Sequence, residues 1–469
     1  MKRRFAAVDT RIIELLTSIV GEQGVVVDPH GVDRYCRDET TDTAGRAEVV
    51  VKPRDTAAVA GVVKLASEFL IPITPRGGGT GVTGGAVPAA GGIVLSLEKM
   101  NRIIEIDTDN LMAVAEPCVI TGDLARAAAE RGLFYPPDPA SIDSCALGGN
   151  VAEGAGGPCA VKYGTTGDYV TGLVVVFPDG SVSRLGGKIV KNATGYNLIG
   201  LFVGSEGTLG VITEITVRLL PLPLYSVDLM APFADLASAS SAVSAVIRAR
   251  IVPTTIEFIE KEAITLASRF LKKDLPFPDA GAQLLIRLDG DTKQAVDHQM
   301  ERLWETIKEK GARDMIVAES SVTRDRLWEG RRCMREAVVA EGGAKCGEDV
   351  VVPRAAIPAF VGRAKEHLAD VGIGSIFFGH AGDGNIHVEL MKGKLSDDEW
   401  RRRLPAAREG LYRIAVAAGG MITGEHGIGL IRKEYLGLSL DSAQIAVMRH
   451  IKDALDPKGI MNPEKIFHE

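Results

Sequence analysis

The chain has 469 residues, enough for two or three domains, and its 46 per cent hydrophobic content is that of an ordinary globular protein. A formal net charge of −7 argues against a nucleic-acid partner, which would need a basic surface. No uncharged apolar run of about 18 residues occurs, so no membrane span is expected. In chain order, MKRRFAAVDTRIIELL is basic but lacks a long apolar segment and soon turns acidic; it reads as a first helix and not as a signal peptide. Residues 8–46 read as helix and then irregular chain, 46–53 as a strand, and 55–70 as a helix capped by Asp55. Strands follow at 71–76, 91–100 and 103–117, then a capped helix at 121–133. TGLVVVFPDGSVSRL at 171–185 predicts a hairpin turning at Asp179-Gly180, and a last strand ends near 223. From 224 the texture changes to strand–helix units: 225–249, a strand at 282–291 with a helix at 294–311, and a helical tail at 436–469. The pattern is α+β.

The 53 glycines are about 11 per cent of the chain, against about 7 per cent in typical proteins. PRGGGTGVTGGAVP at 75–88 joins a strand to a strand, so it does not fit the strand–loop–helix order of a Rossmann site. Its successive backbone N–H groups can still form an anion-binding nest. The six cysteines (Cys36, Cys118, Cys145, Cys159, Cys333, Cys346) contain no C-x-x-C pair. That argues against a disulfide framework or an iron–sulfur ligand set, and for reduced cytoplasmic thiols, with peripheral attachment through partners left open.

GHAGDGNIH at 379–387 sets His380 and His387 seven residues apart across a glycine-rich turn, and GEHGIG at 424–429 adds Glu425 and His426. Apolar residues alternate on both sides of AGDGN, so 375–391 reads as a hairpin that turns both rings toward one point. Two imidazoles and a carboxylate can hold a divalent metal with coordination positions open. Histidine titrates near neutrality, so His426 can act as a base. A substrate carboxylate needs a cation in fork geometry, and LWEGRRCMREA at 327–337 offers Arg331, Arg332 and Arg335.

R-G-G-G-T-G at 76–81, P-P-D-P-A-S at 136–141, G-G-N-V-A-E-G-A-G-G at 148–157, K-Y-G at 162–164, K-N-A-T-G-Y-N-L at 191–198 and G-S-E-G-T-L-G at 204–210 occur in that order. Together they resemble the FAD-binding domain of the vanillyl-alcohol oxidase superfamily. GHAGDGNIHVEL, GEHGIG and the closing DPKGIMNP resemble the branch that contains glycolate oxidase D subunits, D-lactate dehydrogenases and D-2-hydroxyglutarate dehydrogenases. The resemblance implies a two-lobed FAD-binding domain of PCMH type at 1–223, a ferredoxin-like α+β cap at 224–420, and a C-terminal segment at 421–469 that returns to the FAD domain. It implies that Arg76, Gly77, Gly78, Gly79 and Thr80, with Gly84 and Gly85, wrap the diphosphate. Pro137, Asp138, Ser141, Gly148, Gly149, Asn150, Gly154 and Gly157 would line the flavin. Glu206, Gly210 and Ile212 would approach the adenine–ribose end, and Asn462 would close over the isoalloxazine. Some members attach FAD through a histidine in the first glycine loop; residues 75–88 contain none, so non-covalent FAD is expected.

The same resemblance implies a metal on His380, His387 and Glu425, with zinc expected and manganese or iron as alternatives, and His426 as the base. Asn385 would orient the substrate hydroxyl or the flavin. An arginine three positions after tryptophan selects Arg331, after Trp328, for the substrate carboxylate, with Arg332 and Lys345 as further candidates. EGGAKCGED departs in length from the hydroxyglutarate pattern at Lys345. The implied activity is oxidation of a D-2-hydroxy acid, with electrons passed to an iron–sulfur subunit, an electron-transfer flavoprotein or a quinone-linked partner; a homodimer is left open. The alternatives are an oxygen-reducing oxidase, a metal-dependent hydrolase and an electron-relaying subunit without its own catalysis.

Overall fold

The computed structural model describes residues 5–40, 43–342 and 346–468. The chain divides into two compact units, one of residues 1–155, 165–222 and 426–469, the other of 156–164 and 223–425. The excursion at 156–164 was not separated by sequence reading; Lys162 and Tyr163 hold it to Asp289 of the second unit.

The first unit holds two sheets. One has the strands β1 (Val25–Val26), β2 (Val49–Val51), β3 (Ile73–Arg76) and β4 (Ile93–Ser96) in the order β1-β2-β4-β3, with β2 and β3 parallel to β4. The helix Thr56–Phe69 starts where the Asp55 carboxylate accepts the Ala58 amide at 2.8 Å, and it packs Val59, Val62 and Val63 on Val49, Ile73 and Ile93. Ile460 and Met461 of the tail join this core, and Met461 bridges to Ile73. The other sheet is antiparallel, built from β5 (Ile103–Asp107), β6 (Met112–Ala115), β8 (Val170–Val176), β9 (Val182–Gly186) and β10 (Val211–Arg218), in the order β5-β6-β10-β8-β9. β7 (Leu133–Phe134) pairs separately with β11 (Leu220–Pro221).

Three sequence expectations are corrected here. The strand expected over 103–117 is a hairpin: Asp107 accepts the Asn110 amide, and Leu111 takes a φ of +54° at the turn. The helix expected at 121–133 ends at Ala129 and has no side-chain cap. The helical tail stops at Leu455, and 456–468 run without regular structure because Asp456 takes the Ile460 and Met461 amides.

The second unit is built on one antiparallel sheet of seven strands: β12 (Tyr225–Phe233), β13 (Thr255–Glu260), β14 (Ala282–Gly290), β15 (Ile316–Ala318), β16 (Gly347–Val351), β17 (Gly374–His380) and β18 (Asn385–Met391). Their order is β15-β12-β14-β13-β17-β18-β16. The helices Lys261–Leu271 and Met334–Gly342 pack on the face that carries Ile259, Ile376 and Phe378. Because strand side chains alternate with period two, His380 lies on the same face as Phe378 and Ile376. Among the described residues no helix is long and apolar enough to cross a membrane.

At the end of β13 the buried Glu260 accepts the Phe377 amide at 2.8 Å and pairs with Lys365 at 2.7 Å. Burial outweighs these contacts and lifts its carboxyl to about 7. A folded-state value above the unfolded one means stability that is present below pH 4.5 and lost as pH rises through 7. Glu260→Gln removes that titration. Between pH 5 and pH 8 the unfolding free energy of the native protein should fall relative to the variant by about 2–3 kcal/mol. Parallel denaturant curves at the two pH values check this; a constant difference between the proteins would show that Glu260 is ionised throughout.

Candidate functional site: a histidine–carboxylate cluster and a glycine-lined loop

β17 and β18 form the hairpin expected at 375–391, turning through Ala381–Gly384. Its register sets His387 across from Phe378, one step along from His380, so both rings leave the same face. The Nε2 atoms of the two histidines stand 3.3 Å apart, with ring planes at 86°. Glu425 Oε1 lies 3.6 Å from each Nε2. A tetrahedral ion with bonds of about 2.1 Å needs ligand atoms about 3.4 Å apart, so this triangle fits a small divalent metal.

His380 and the segment that carries Glu425 are held from behind. β13 runs beside β17 with Glu257 opposite His380, and Glu257 Oε1 lies 2.5 Å from His380 Nδ1. Glu257 is fully buried; burial alone would raise its carboxyl, but the charges of His380 and Arg331 outweigh this and hold it at about 2. Burial works against protonated His380, and the Glu257 charge overrides it, raising the imidazole above its ordinary value. Asp349, buried on β16 across from His387, accepts the backbone amides of Gly424 and Glu425 at 2.7 and 2.8 Å and the Thr423 hydroxyl at 3.0 Å. It therefore fixes the segment that carries Glu425. Gly156 makes room for that side chain, since a Cβ there would come within 2.7 Å of Glu425 Oε2.

Asn385 donates Nδ2 to the Val350 carbonyl at 3.1 Å, while its buried Oδ1 has no hydrogen-bond partner among the described residues. Arg331 lies in the cluster: its Nε reaches Glu257 Oε2 at 2.8 Å, and its guanidinium carbon sits 4.6 Å from the centre of the Phe378 ring. Arg332 does not join it. One helical step further round, it is exposed and pairs with Asp325, so the expectation of a substrate contact there is corrected. Arg335 is likewise exposed, and Lys345 lies outside the described residues.

In the first unit the loop after β3 lies tight against 144–149. A Cβ on Gly78 would meet the Ser144 carbonyl at 2.8 Å, and one on Gly77 the Ala146 side chain at 3.1 Å. Arg76 bonds the Arg37 carbonyl at 2.6 Å, and Gly79 (φ +71°) passes under its guanidinium. Thr80 is half-buried, and Gly84 and Gly85 are buried. Pro137 is buried, and Asp138 and Ser141 are half-buried. Gly148 packs on Pro117, and Gly149 has no atom within 4 Å of an added Cβ. Asn150 gives its amide to Thr121 at 2.6 Å, and Gly154 (φ +69°) ends the helix Leu147–Glu153. Gly210 packs on the Val176 carbonyl, and Ile212 is buried in β10.

The Glu206 carboxylate accepts the Ile428 and Gly429 amides at 2.8 and 2.7 Å and so anchors the tail. Gly157 belongs to the second unit. Asn462 donates to the Gly85 and Glu206 carbonyls at 3.0 and 2.7 Å, and its buried Oδ1 has no partner among the described residues. A loop lined by bare backbone, with an unmatched acceptor beside it, fits a group that brings its own phosphates and N–H donors, as FAD does. Glu257 and Asp349 escaped sequence reading. Their signal is an acidic residue inside an apolar strand segment, TIEFIE and EDVVV, where a charge is rarely buried without a partner.

Known proteins carry the same two parts. A family profile described as "FAD linked oxidases, C-terminal domain" matches residues 222–466, and one described as "FAD binding domain" matches 47–186. A D-lactate dehydrogenase of Anaerostipes hadrus is 37% identical over 99% of this chain and 99% of its own. The glycolate oxidase subunit GlcD of Bacillus subtilis (strain 168) is 40% identical over 92% of each. A crystal structure of p-cresol methylhydroxylase with substrate bound superposes with a TM-score of 0.80, covering 97% of this chain and 96% of that one at 19% identity. At that identity it shows the fold alone.

Proposed function

This chain belongs to the FAD-linked oxidases, and from that premise we propose that it oxidises a D-2-hydroxy acid to the 2-oxo acid, with a divalent metal at His380, His387 and Glu425. D-lactate, glycolate and D-2-hydroxyglutarate are the substrate types that the relatives and the motifs support. The observation that carries the reading is the triangle of Nε2, Nε2 and Oε1 at 3.3, 3.6 and 3.6 Å.

Zinc suits two imidazoles and a carboxylate, with manganese or iron as alternatives. An ion held by His380, His387 and Glu425 would supply Lewis acidity to the substrate hydroxyl. FAD, held without a covalent link, would supply the hydride acceptor for the oxidation. The remaining work falls to this chain's side chains. Arg331 holds the substrate carboxylate in fork geometry, and Asn385 Oδ1 offers an acceptor near the hydroxyl. His426 takes the hydroxyl proton. Arg76–Thr80, Gly84, Gly85, Gly148, Gly149 and Asn462 hold the cofactor. A dicarboxylate needs a second cation, for which Lys345 is the candidate. With six dispersed cysteines the chain has no ligand set for an iron–sulfur relay of its own, so electrons pass to a separate acceptor: an iron–sulfur subunit, an electron-transfer flavoprotein or a quinone-linked partner.

Anaerobic addition of D-lactate, glycolate and D-2-hydroxyglutarate to the purified yellow protein tests the reading. One of them should bleach the absorbance near 450 nm within seconds, and acid precipitation should release the flavin into the supernatant. A flavin that stays oxidised with all three acids would remove the hydroxy-acid assignment.

A further inference from the structure

We propose that Glu257 is a positioning residue that orients both halves of this site, fixing His380 as an Nε2 ligand with one carboxylate oxygen and aiming the Arg331 fork with the other. The proposal rests on the metal and hydroxy-acid reading above.

Glu257 stands in the middle of β13, directly across the ladder from His380. A carboxylate is costly to bury unless its lone pairs are matched, and Glu257 is 0% exposed. Its two oxygens are matched by two different groups. Oε1 faces His380 Nδ1 at 2.5 Å, and Oε2 takes the Arg331 Nε–H at 2.8 Å. The first contact places the ring proton on Nδ1, because a carboxylate only accepts. In the neutral ring that a ligand requires, the lone pair of His380 is then on Nε2, the atom that faces His387 Nε2 and Glu425 Oε1. A carboxylate behind a ligating imidazole fixes its tautomer and its aim and raises its basicity.

The second contact uses Arg331 at Nε. The planar guanidinium lies over the Phe378 ring at 4.6 Å, and among the described residues its Nη pair has no hydrogen bond, so it is open to a bidentate contact with another carboxylate. One rigid strand residue thus sets the spacing between the ion and the substrate's carboxylate. A simple structural ion pair between Arg331 and Glu257 would account for the second contact but not for the first.

The test uses the FAD-loaded enzyme stripped of metal by a chelator and titrated with zinc in competition with that chelator, and with cobalt read by its ligand-field absorption. In Glu257→Gln, zinc affinity should fall about 10–100-fold and the cobalt bands should shift, with FAD content unchanged. The KM for whichever of the three hydroxy acids bleaches the native flavin should rise as well. Arg331→Ala should raise that KM by roughly 10- to 150-fold while zinc affinity stays within about threefold. Glu257→Gln binding zinc as tightly as the native enzyme overturns the proposal and leaves the metal reading intact. Equal losses of zinc affinity in the two variants would also overturn it, by making the ion pair a common structural clamp. A native enzyme that binds neither ion overturns the metal reading, and the proposal with it. If Glu257→Gln does not accumulate as folded protein, Glu257→Asp keeps the charge and withdraws both oxygens by one methylene, and the same titration decides.

Discussion

His387→Ala should abolish turnover and leave protein that retains FAD but purifies without stoichiometric metal. The variant removes one of three proposed ligands and leaves Glu425 Oε1 and His380 Nε2, a pair 3.6 Å apart that can supply two bonds. Loss of a partner behind a ligand already costs about 10–100-fold in metal affinity, and loss of the ligand itself should exceed that. The fold should tolerate the change, because the His387 side chain is 12% exposed and its ring packs on Phe378 at a centroid distance of 5.4 Å. The cofactor should stay, because the loop after β3 and the 144–149 segment belong to the first unit, which does not contain residue 387. Metal analysis by plasma emission, absorbance at 450 nm and a thermal melt separate the three outcomes. Full turnover in metal-free native enzyme, or native metal content in the variant, would refute the site.

What was legible in the sequence was local. The hairpin at 375–391 was readable because apolar alternation flanks a glycine-rich turn, and that alternation already set both rings on one face. The helix at Thr56–Phe69 was readable from Asp55 at its start. The turn at 107–111 was missed because the apolar pattern resumes after DTDN, so two short strands read as one long strand. The partners behind the His380–His387–Glu425 cluster were out of reach for a different reason. Glu257 lies 123 residues from His380, and Asp349 lies 76 residues from Glu425. Such pairings are set by strand order in a seven-stranded sheet, and no period along the chain encodes that order. Glu206 was placed by its motif at the cofactor, and its carboxylate also accepts two backbone amides of the tail, which no motif announces. The identity of an acidic residue in a glycine-rich motif does not reveal which donors reach it.

His426→Ala should keep FAD and metal at native stoichiometry, yet reduce flavin about 10²–10⁴-fold more slowly in single-turnover experiments, the loss typical of a removed general base. The grounds are covalent and local. Consecutive Cα atoms are about 3.8 Å apart, so the residue after a metal ligand begins close to the ion. The Glu425 amide is pinned to Asp349, and the His426 carbonyl accepts the Thr83 hydroxyl at 3.1 Å, which leaves this stretch of backbone little freedom. The flanking glycines serve the same fixation. A Cβ on Gly424 would collide with the Asn385 amide at 2.3 Å, and Gly427, at φ +77°, passes within 2.7 Å of Glu153 Oε2 at its Cβ position. Neighbouring side chains on an irregular segment diverge, so following Glu425 in sequence does not make His426 a ligand. Stopped-flow reduction under nitrogen, with metal and flavin measured on the same sample, reads both properties at once. A variant that reduces flavin at the native rate would leave the hydroxyl proton to water or to another group. If His426→Ala loses its metal while His387→Ala retains it, the ligand and base roles are exchanged.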